Sequence, residues 1–318
     1  MAADLFSHSQ ANMMSHSPKA LCLLLATTHL AGASTILHTV DGQAYREEAA
    51  LFLSVGKVNG SGISGSGVLI SDRWVLTAGH VSLSKVGATY NVGGVNYTVQ
   101  RAITHPSFSF SGPSYDLGLL YLSEAVVGVI PATMIRFNNP SSILGREATW
   151  IGHGLTGTGL TGAQSPLGSQ AFTNIIDFFG DRYGLSPTSF VADFDAPDGT
   201  GNASGSTAAT TRLEGNVAAG DSGGGVFVTV DGVRYLVGIN SYAGGFAVGT
   251  NSKYGSISGA ASLHQFHSWI YDVSGVTAIP EPGVFGLLCL GAMVGLFRRR
   301  AGSAARENEP QMNRMNAD

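Results

Sequence analysis

Short apolar runs, each interrupted by glycine, serine, asparagine or aspartate, dominate the chain between residues 36 and 273. Runs of this kind that are rich in valine, isoleucine and aromatic residues are typical of β-strands. Amphipathic helices do not alternate with them, which favours an all-β barrel or sandwich over an α/β sheet. The predicted strands are LFLSV (51–55), GVLI (67–70), WVLTA (74–78), YTVQRAI (97–103), LGLLYL (117–122) and ATWIG (148–152).

The clearest predicted element is the hairpin VFVTVDGVRYLVGINSY, residues 226–242. Two β-rich runs flank Asp231-Gly232, a pair that two-residue hairpin turns favour. Residues 155–212 are rich in glycine, threonine, serine and alanine and are expected to hold the least predictable loops. One amphipathic helix is predicted near the end, from Leu263, Phe266, His267, Ile270 and Val273 at roughly helical spacing.

Composition narrows the class of protein. Of 318 residues, 44% are hydrophobic, only 12% are charged and 44 are glycine, a mixture that suits a loop-rich β protein with its own core. The net charge is −4, so the chain gives no electrostatic reason to expect a nucleic-acid partner.

The first 33 residues are predicted to be a secretory signal peptide. PKALCLLLATTHLAGAS joins a lysine, an apolar stretch and the small residues Ala31-Gly32-Ala33, at which export cleavage would occur. The alternative is a buried first helix. The domain that follows is placed at residues 34–278.

The end of the chain, IPEPGVFGLLCLGAMVGLFRRR, has an uncharged run of 15 residues (283–297) followed by three arginines. The run is shorter than the ~20 residues of a usual spanning helix, so a core helix is the alternative. Order and position resemble the PEP-CTERM sorting tail of bacterial envelope proteins. The resemblance implies an exported bacterial protein, transient membrane contact through residues 279–300, a cytoplasmic tail at 301–318, and an exosortase-type processing enzyme as partner.

The sequence gives little reason to expect a metal site or a disulfide in residues 34–278. Cys22 and Cys289 both lie in the terminal segments, so residues 34–278 contain no cysteine. The acids of DFDAPDG (193–199) do not have calcium-loop spacing and are predicted to form a solvated turn. His264 and His267 lack a third ligand and are predicted to lie at a helix surface and edge. No metal or other cofactor is expected.

EGNVAAGDSGGGVF, residues 214–227, places an aspartate and a serine among small residues. A serine becomes a nucleophile when a base removes its proton, and the oxyanion formed by its attack needs backbone N–H donors. Glycines allow a tight turn and close approach of the backbone to a substrate. Ser222 is therefore the candidate nucleophile, and the N–H groups of Gly220 and Ser222 are the candidate donors.

A base and an acid for this serine are found upstream. RWVLTAGHV ends an apolar strand with His80, and SYDLGLLYL opens another with Asp116. A charged residue at a buried strand is costly unless it is paired, so Asp116 is expected to have a cationic or hydrogen-bonding partner. The chain order is His, Asp, Ser, one of the three known orders for this chemistry.

VLTAGH, YDLGLL and GDSGGG, in this order, resemble the trypsin/chymotrypsin family of serine endopeptidases over roughly residues 36–273. The resemblance implies two packed six-stranded antiparallel β-barrels, a C-terminal helix and a site between the barrels. It assigns His80 as general base, Asp116 as the acid that orients it, Ser222 as nucleophile, and Gly220 with Ser222 as the oxyanion hole.

The resemblance also implies substrate-binding residues. Asn216 falls at the base of the specificity pocket, and Ser241, Tyr242 and Ala243 fall on the strand that pairs with the substrate backbone. Because Asn216 is neutral, cleavage after uncharged residues is expected. The departures from the family are Gly79 and Val81 around the histidine, where alanine and cysteine are usual, and Gly225 in place of proline.

Activation remains open at this point. In the family, the aspartate before the nucleophile pairs with a new α-amino group; here that residue is Asp221. No Arg-Ile-Val-Gly-Gly sequence occurs, and the mature chain is predicted to begin within a few residues of Ile36. The alternative is that a nearby side chain satisfies Asp221 and that no free terminus is needed.

The expected function is hydrolysis of peptide bonds in a polypeptide substrate by an exported serine endopeptidase, through an acyl-enzyme. The alternatives are a catalytically silent binding protein of the same fold and an esterase that uses the same triad.

Overall fold

A computed structural model describes residues 33–202, 210–245 and 252–282. The predicted signal peptide, apart from Ala33, and the predicted C-terminal segments beyond Pro282 lie outside these ranges. Among the described residues, no helix combines the length and apolar character needed to cross a membrane.

The structure is mostly β, with a few short helices, as the sequence predicts. The elements up to residue 122 are β1 (Ser34–Ile36), α1 (Gly42–Ala49), β2 (Val55–Asn59), β3 (Gly65–Leu69), β4 (Trp74–Thr77), α2 (Gly79–Ser82), β5 (Thr89–Val92), β6 (Val95–Thr104) and β7 (Gly118–Leu122). Those that follow are β8 (Ile135–Arg136), β9 (Glu147–Gly152), β10 (Leu155–Thr158), β11 (Gly162–Leu167), β12 (Gln170–Ile175), β13 (Phe178–Phe179), β14 (Ser189–Asp193), β15 (Gly215–Asn216), β16 (Gly225–Val230), β17 (Val233–Gly245), β18 (Ser256–Ser262), α3 (His267–Ser274) and β19 (Ile279–Pro280).

Six strands close a first barrel in the order β2-β3-β4-β7-β6-β5. The apolar runs predicted around residues 67–78 and 117–122 supply three of these strands, and their inward side chains form a core that includes Leu69, Val75 and Leu120. The prediction of a strand at 51–55 was wrong, because Leu51 and Leu53 are exposed in a turn and the strand begins at Val55.

The second half is a seven-stranded sheet, ordered β12-β9-β16-β17-β18-β14-β13, that curls into a half-barrel. Its centre is the predicted hairpin of β16 and β17. Asp231 and Gly232 both have positive φ values, 50° and 77°, as a type I′ turn requires. The segment 155–212, expected to hold the least predictable loops, also contains β10 to β14.

The N-terminal strand β1 lies in a separate four-stranded sheet, ordered β11-β10-β1-β15. It is parallel to β10 and antiparallel to β15, with Thr35 opposite Asn216. All three residues of β1 are buried. This strand therefore ties the beginning of the domain to the segment that precedes Ser222.

An apolar cluster, called the shared core below, joins the two halves. It combines Leu76 and Leu119 of the first barrel with Leu236 and Ile239 of the second sheet and with Phe266. The predicted C-terminal helix is confirmed as α3, whose Ile270 belongs to the same cluster. Strands from both halves are thus held in fixed positions on either side of the candidate site.

Candidate active site

His80 and Asp116 are brought together by two neighbouring strands of the first barrel. β4 and β7 pair with Thr77 opposite Gly118, so the residues that follow β4 and precede β7 lie at the same end. His80 Nδ1 lies 2.8 Å from Asp116 Oδ2. The backbone N–H of His80 donates to Asp116 Oδ1 over 2.9 Å.

A third hydrogen bond reaches this carboxylate from the other half of the molecule. Ser241 Oγ donates to Asp116 Oδ2 over 2.5 Å, and Asp116 is only 3% exposed. Because an ionised carboxylate only accepts hydrogen bonds, the imidazole of His80 donates from Nδ1. Its Nε2 is then the nitrogen that can accept a proton.

The loop 218–224 presents Ser222 with two unused donors. No hydrogen bond within the described ranges uses the N–H of Gly220 or of Ser222. The carbonyl of Ala219, on the other side of the Gly220 peptide, accepts from Leu155 N over 2.8 Å. Since C=O and N–H point in opposite directions in a trans peptide, the Gly220 N–H faces away from Leu155.

The position of Ser222 is fixed by its backbone. Its carbonyl accepts from Ser66 N over 2.7 Å, and Gly223 N donates to Asn240 O over 2.8 Å. Gly223 has φ +88° and a Cβ there would lie 2.1 Å from Ser66 O, so only glycine fits. The hydroxyl of Ser222 has no hydrogen bond to a described residue, and its pairing with His80 Nε2 belongs to the proposal below.

Asp221 points away from the cleft into the protein. Its carboxylate accepts from Ala218 N and Ser34 Oγ, both over 2.8 Å, and from Gly154 N over 2.9 Å. Asp221 is 0% exposed, and this burial raises its pKa to about 7 although the three hydrogen bonds oppose the rise.

Ser34 is therefore the residue of the N-terminal strand that meets Asp221. In the uncut chain, Ser34 contributes a side-chain hydroxyl rather than an α-amino group. This arrangement corresponds to the alternative stated above, in which a nearby side chain satisfies Asp221. Ser34 adopts a left-handed conformation, φ 70°, which is uncommon for a residue other than glycine. The start of the mature chain remains a prediction.

Asn216 is completely buried beside β1. Its Nδ2 donates to Val217 O over 3.0 Å, and its Oδ1 accepts from Ser258 Oγ over 2.7 Å. Its amide is thus engaged within the protein and carries no charge. This environment is compatible with a specificity pocket for uncharged side chains, which remains a prediction.

The predicted substrate strand, 241–243, lies in β17 next to His80. Ser241 and Tyr242 line a cavity of about 270 Å³ together with His80, Asp116, Phe108 and Phe110. Tyr242 is anchored by a 2.9 Å hydrogen bond between its hydroxyl and Ser189 Oγ. Ala243 is exposed and pairs with Ser258 of β18.

The acids of 193–199 do not form the solvated turn that the sequence predicts. Asp193 and Asp195 are buried, and only Asp198 is exposed, in a turn closed by Thr200. Burial, together with the smaller effect of the nearby carboxyls of Asp193 and Asp177, raises the pKa of Asp195 to about 7.

The two histidines near α3 are less exposed than predicted. His267 is partly buried with both ring nitrogens shielded, and burial lowers its pKa to about 4. Within the described ranges, no three histidine, aspartate or glutamate side chains are grouped to hold a metal ion.

Three polar contributions to the site were missed by the sequence. From the sequence, Ser241 is expected only to bind substrate, Ser34 has no expected role in the site, and Asn240 lies in a strand of the predicted hairpin with no role of its own. Of these three residues, only Asn240 has a sequence signal. It is an asparagine inside the strand VGINSY, and a buried strand seldom carries an amide without a hydrogen-bonding partner.

Comparisons with known proteins agree with the fold. The family profile that matches, over residues 40–270, is described as Trypsin. Curated relatives include a trypsin of Simulium vittatum, 37% identical over 70 residues, and trypsin 5G1 of Aedes aegypti, 34% identical over 88 residues. These matches cover 19% and 25% of this chain, and only 28% and 33% of the relatives. A solved structure described as neuropsin, a serine protease of mouse brain, has a TM-score of 0.52 at 20% identity over 70% of this chain and 94% of that one.

Proposed function

Because the chain belongs to the trypsin family, we propose that it is a serine endopeptidase that acts through Ser222, His80 and Asp116. The observation that carries the proposal is the hydrogen-bonded set of His80, Asp116 and Ser241, which leaves Nε2 of His80 as the available base. The matched relatives are aligned over a third of their length or less, so substrate and activity are inferred from the site.

The reaction begins when Ser222 Oγ attacks the carbonyl carbon of the scissile peptide and His80 Nε2 takes the hydroxyl proton. The carbonyl oxygen becomes an oxyanion that accepts from the N–H groups of Gly220 and Ser222. His80 then returns its proton to the leaving amine as the C–N bond breaks, which gives an acyl-enzyme. Water attacks the ester by the same sequence and releases the acid.

Asp116 orients His80 in this scheme and stabilises the imidazolium that forms. It accepts three hydrogen bonds and is nearly inaccessible to solvent. In this scheme the carboxylate holds the imidazole in place and takes no proton from it.

A fluorophosphonate probe tests the mechanism. We expect the probe to label Ser222 alone, and His80→Ala to abolish labelling, since loss of a triad member typically costs several powers of ten in rate. Ser222→Ala is the matched control. Labelling of another serine, or labelling that survives His80→Ala, would contradict the mechanism.

Turnover separates the alternatives. Matched peptide and ester substrates, assayed with the purified protein beside Ser222→Ala, distinguish an endopeptidase from an esterase. A protein that cleaves neither substrate and fails to react with the probe would be a silent binding protein of the same fold.

We further propose that the chain is exported and that its C-terminal segment is a sorting tail. The support is the sequence pattern at residues 1–33 and 279–300, which lies largely outside the described ranges. Mass spectrometry of the chain from cell-envelope and medium fractions would test both cleavages.

A further inference from the structure

Asn240 is a buried amide in the centre of β17, between Ile239 of the shared core and Ser241. It is 1% exposed. Its Nδ2 donates to Ile151 O over 3.1 Å and to Asp221 O over 3.3 Å, while its Oδ1 has no partner in the described part of the chain. An unpaired buried acceptor is destabilising, and a leucine of the same shape would avoid that cost. Compared with leucine, the asparagine therefore contributes two donated hydrogen bonds at this position.

One of these bonds acts on the peptide that links Asp221 to Ser222. The carbonyl of that peptide accepts from Asn240 Nδ2 and also from Gly224 N, over 2.9 Å. Because the peptide is planar and trans, holding its carbonyl on one side directs the N–H of Ser222 to the opposite side. That N–H is one of the two unused donors of the site.

The backbone around Asn240 holds the same loop. Asn240 N donates to Gly224 O, and Asn240 O accepts from Gly223 N, each over 2.8 Å. A Cβ on Gly224 would lie 2.0 Å from Ile151 O and 3.0 Å from Asn240 Nδ2. The absence of a side chain at 224 thus leaves room for the amide to reach both carbonyls.

We propose that Asn240 is a positioning residue for the oxyanion hole, acting on the N–H of Ser222 through the Asp221 carbonyl. A hydrogen bond to the carbonyl polarises the peptide and makes its N–H a stronger donor. The gain is largest when full negative charge develops on the substrate oxygen, so it appears in the transition state more than in substrate binding. This inference rests on the proposed function of Ser222.

The first test is Asn240→Leu in the full chain. Removal of a direct oxyanion donor lowers kcat by about 10² to 10³, so we expect the indirect loss at Asn240 to be about tenfold, with KM changed less than about twofold. Affinity for a peptide trifluoromethyl ketone, which forms an oxyanion adduct, should fall by the same factor as kcat.

Asn174→Leu is the matched control. Asn174 is also a buried amide, 2% exposed, and it donates to two backbone carbonyls, those of Asp193 and Gly215. We expect this variant to lose thermal stability with kcat unchanged. An equal fall of kcat in both variants would reduce Asn240 to a general structural role and overturn the inference.

Asn240→Asp is a second variant that tests the same inference if Asn240→Leu does not fold. A protonated carboxyl at this position still donates to Asp221 O, whereas the ionised form only accepts. We expect kcat relative to the wild type to fall as pH rises. A ratio that stays constant with pH would overturn the inference. If the wild-type protein showed neither turnover nor labelling of Ser222, that result would instead refute the proposed function.

Discussion

Cleavage of the chain before Ser34 should change how its stability depends on pH. In the uncut chain, the partners of the Asp221 carboxylate are one hydroxyl and two backbone amides, and no cation is hydrogen-bonded to it within the described ranges. The α-nitrogen of Ser34 is three bonds from the hydroxyl that contacts Asp221. A chain that begins at Ser34 would therefore carry an ammonium group within reach of the carboxylate.

The magnitude follows from the pKa of Asp221. Burial raises it from 3.8 to about 7, and at about 1.4 kcal/mol for each pH unit this rise corresponds to roughly 4 kcal/mol. Because the pKa of the folded state is the higher one, this stability is fully present below pH 3.8 and is lost as pH rises through about 7. An ammonium partner lowers the pKa of Asp221, and one charge-assisted hydrogen bond should restore about 2 kcal/mol at pH 8.

Urea unfolding between pH 4 and 8.5 measures this effect on two forms, one that begins at Ser34 and one with an uncleavable extension before it. We expect the extended form to lose more stability as pH rises. Burial also raises the pKa values of Asp195 and Glu214, to about 7 and about 8, so these two residues likewise lower the stability as pH rises. Because both residues are present in both forms, their contributions cancel when the two pH profiles are subtracted. Identical pH profiles for the two forms would refute the reasoning, as would a difference that persists in Asp221→Asn.

Two further predictions concern neighbouring residues. Ser241→Ala removes the hydroxyl that donates to Asp116. We expect kcat to fall about tenfold with KM nearly unchanged, because the imidazole is oriented less well. An unchanged kcat would show that the contact is dispensable. A peptide-library digest should show cleavage after uncharged residues, and Asn216→Asp should lower stability by about 1–3 kcal/mol in urea unfolding, since an ionised carboxylate cannot donate to Val217 O. Cleavage mainly after arginine or lysine in the wild type would contradict the predicted specificity.

The parts of the fold that were predicted correctly depend on local sequence. GVLI and WVLT are continuous apolar runs because their strands are buried on both faces, in the barrel and in the shared core. Asp231 and Gly232 adopt positive φ values that their neighbours would resist, so the hairpin is visible without knowledge of the rest of the chain.

The parts that were missed have weak or misleading local signals. Helix α1 was not predicted because only Tyr45 and Ala49 are buried, although Asp41, whose side chain accepts from Gln43 N, is a recognisable N-cap. The strands between 155 and 193 contain many small residues, and β12 pairs with β9 while β14 pairs with β18. Such strands are stabilised by distant partners, and short-range patterns do not reveal those partners.

The candidate site divides in the same way. His80, Asp116 and Ser222 are marked by motifs because the proposed chemistry requires those residue types at fixed points of local geometry. No local motif marks Ser34 or Asn240: Ser34 contacts a carboxylate 187 positions away, and Asn240 contacts carbonyls 19 and 89 positions away. Both act on residues flanking the nucleophile, one on the side chain of Asp221 and the other on its carbonyl. Under the proposed mechanism, a chain that keeps His80, Asp116 and Ser222 can therefore still lose the proposed oxyanion hole through either contact, so the proposal is tested at Ser34 and Asn240 as well as at Ser222.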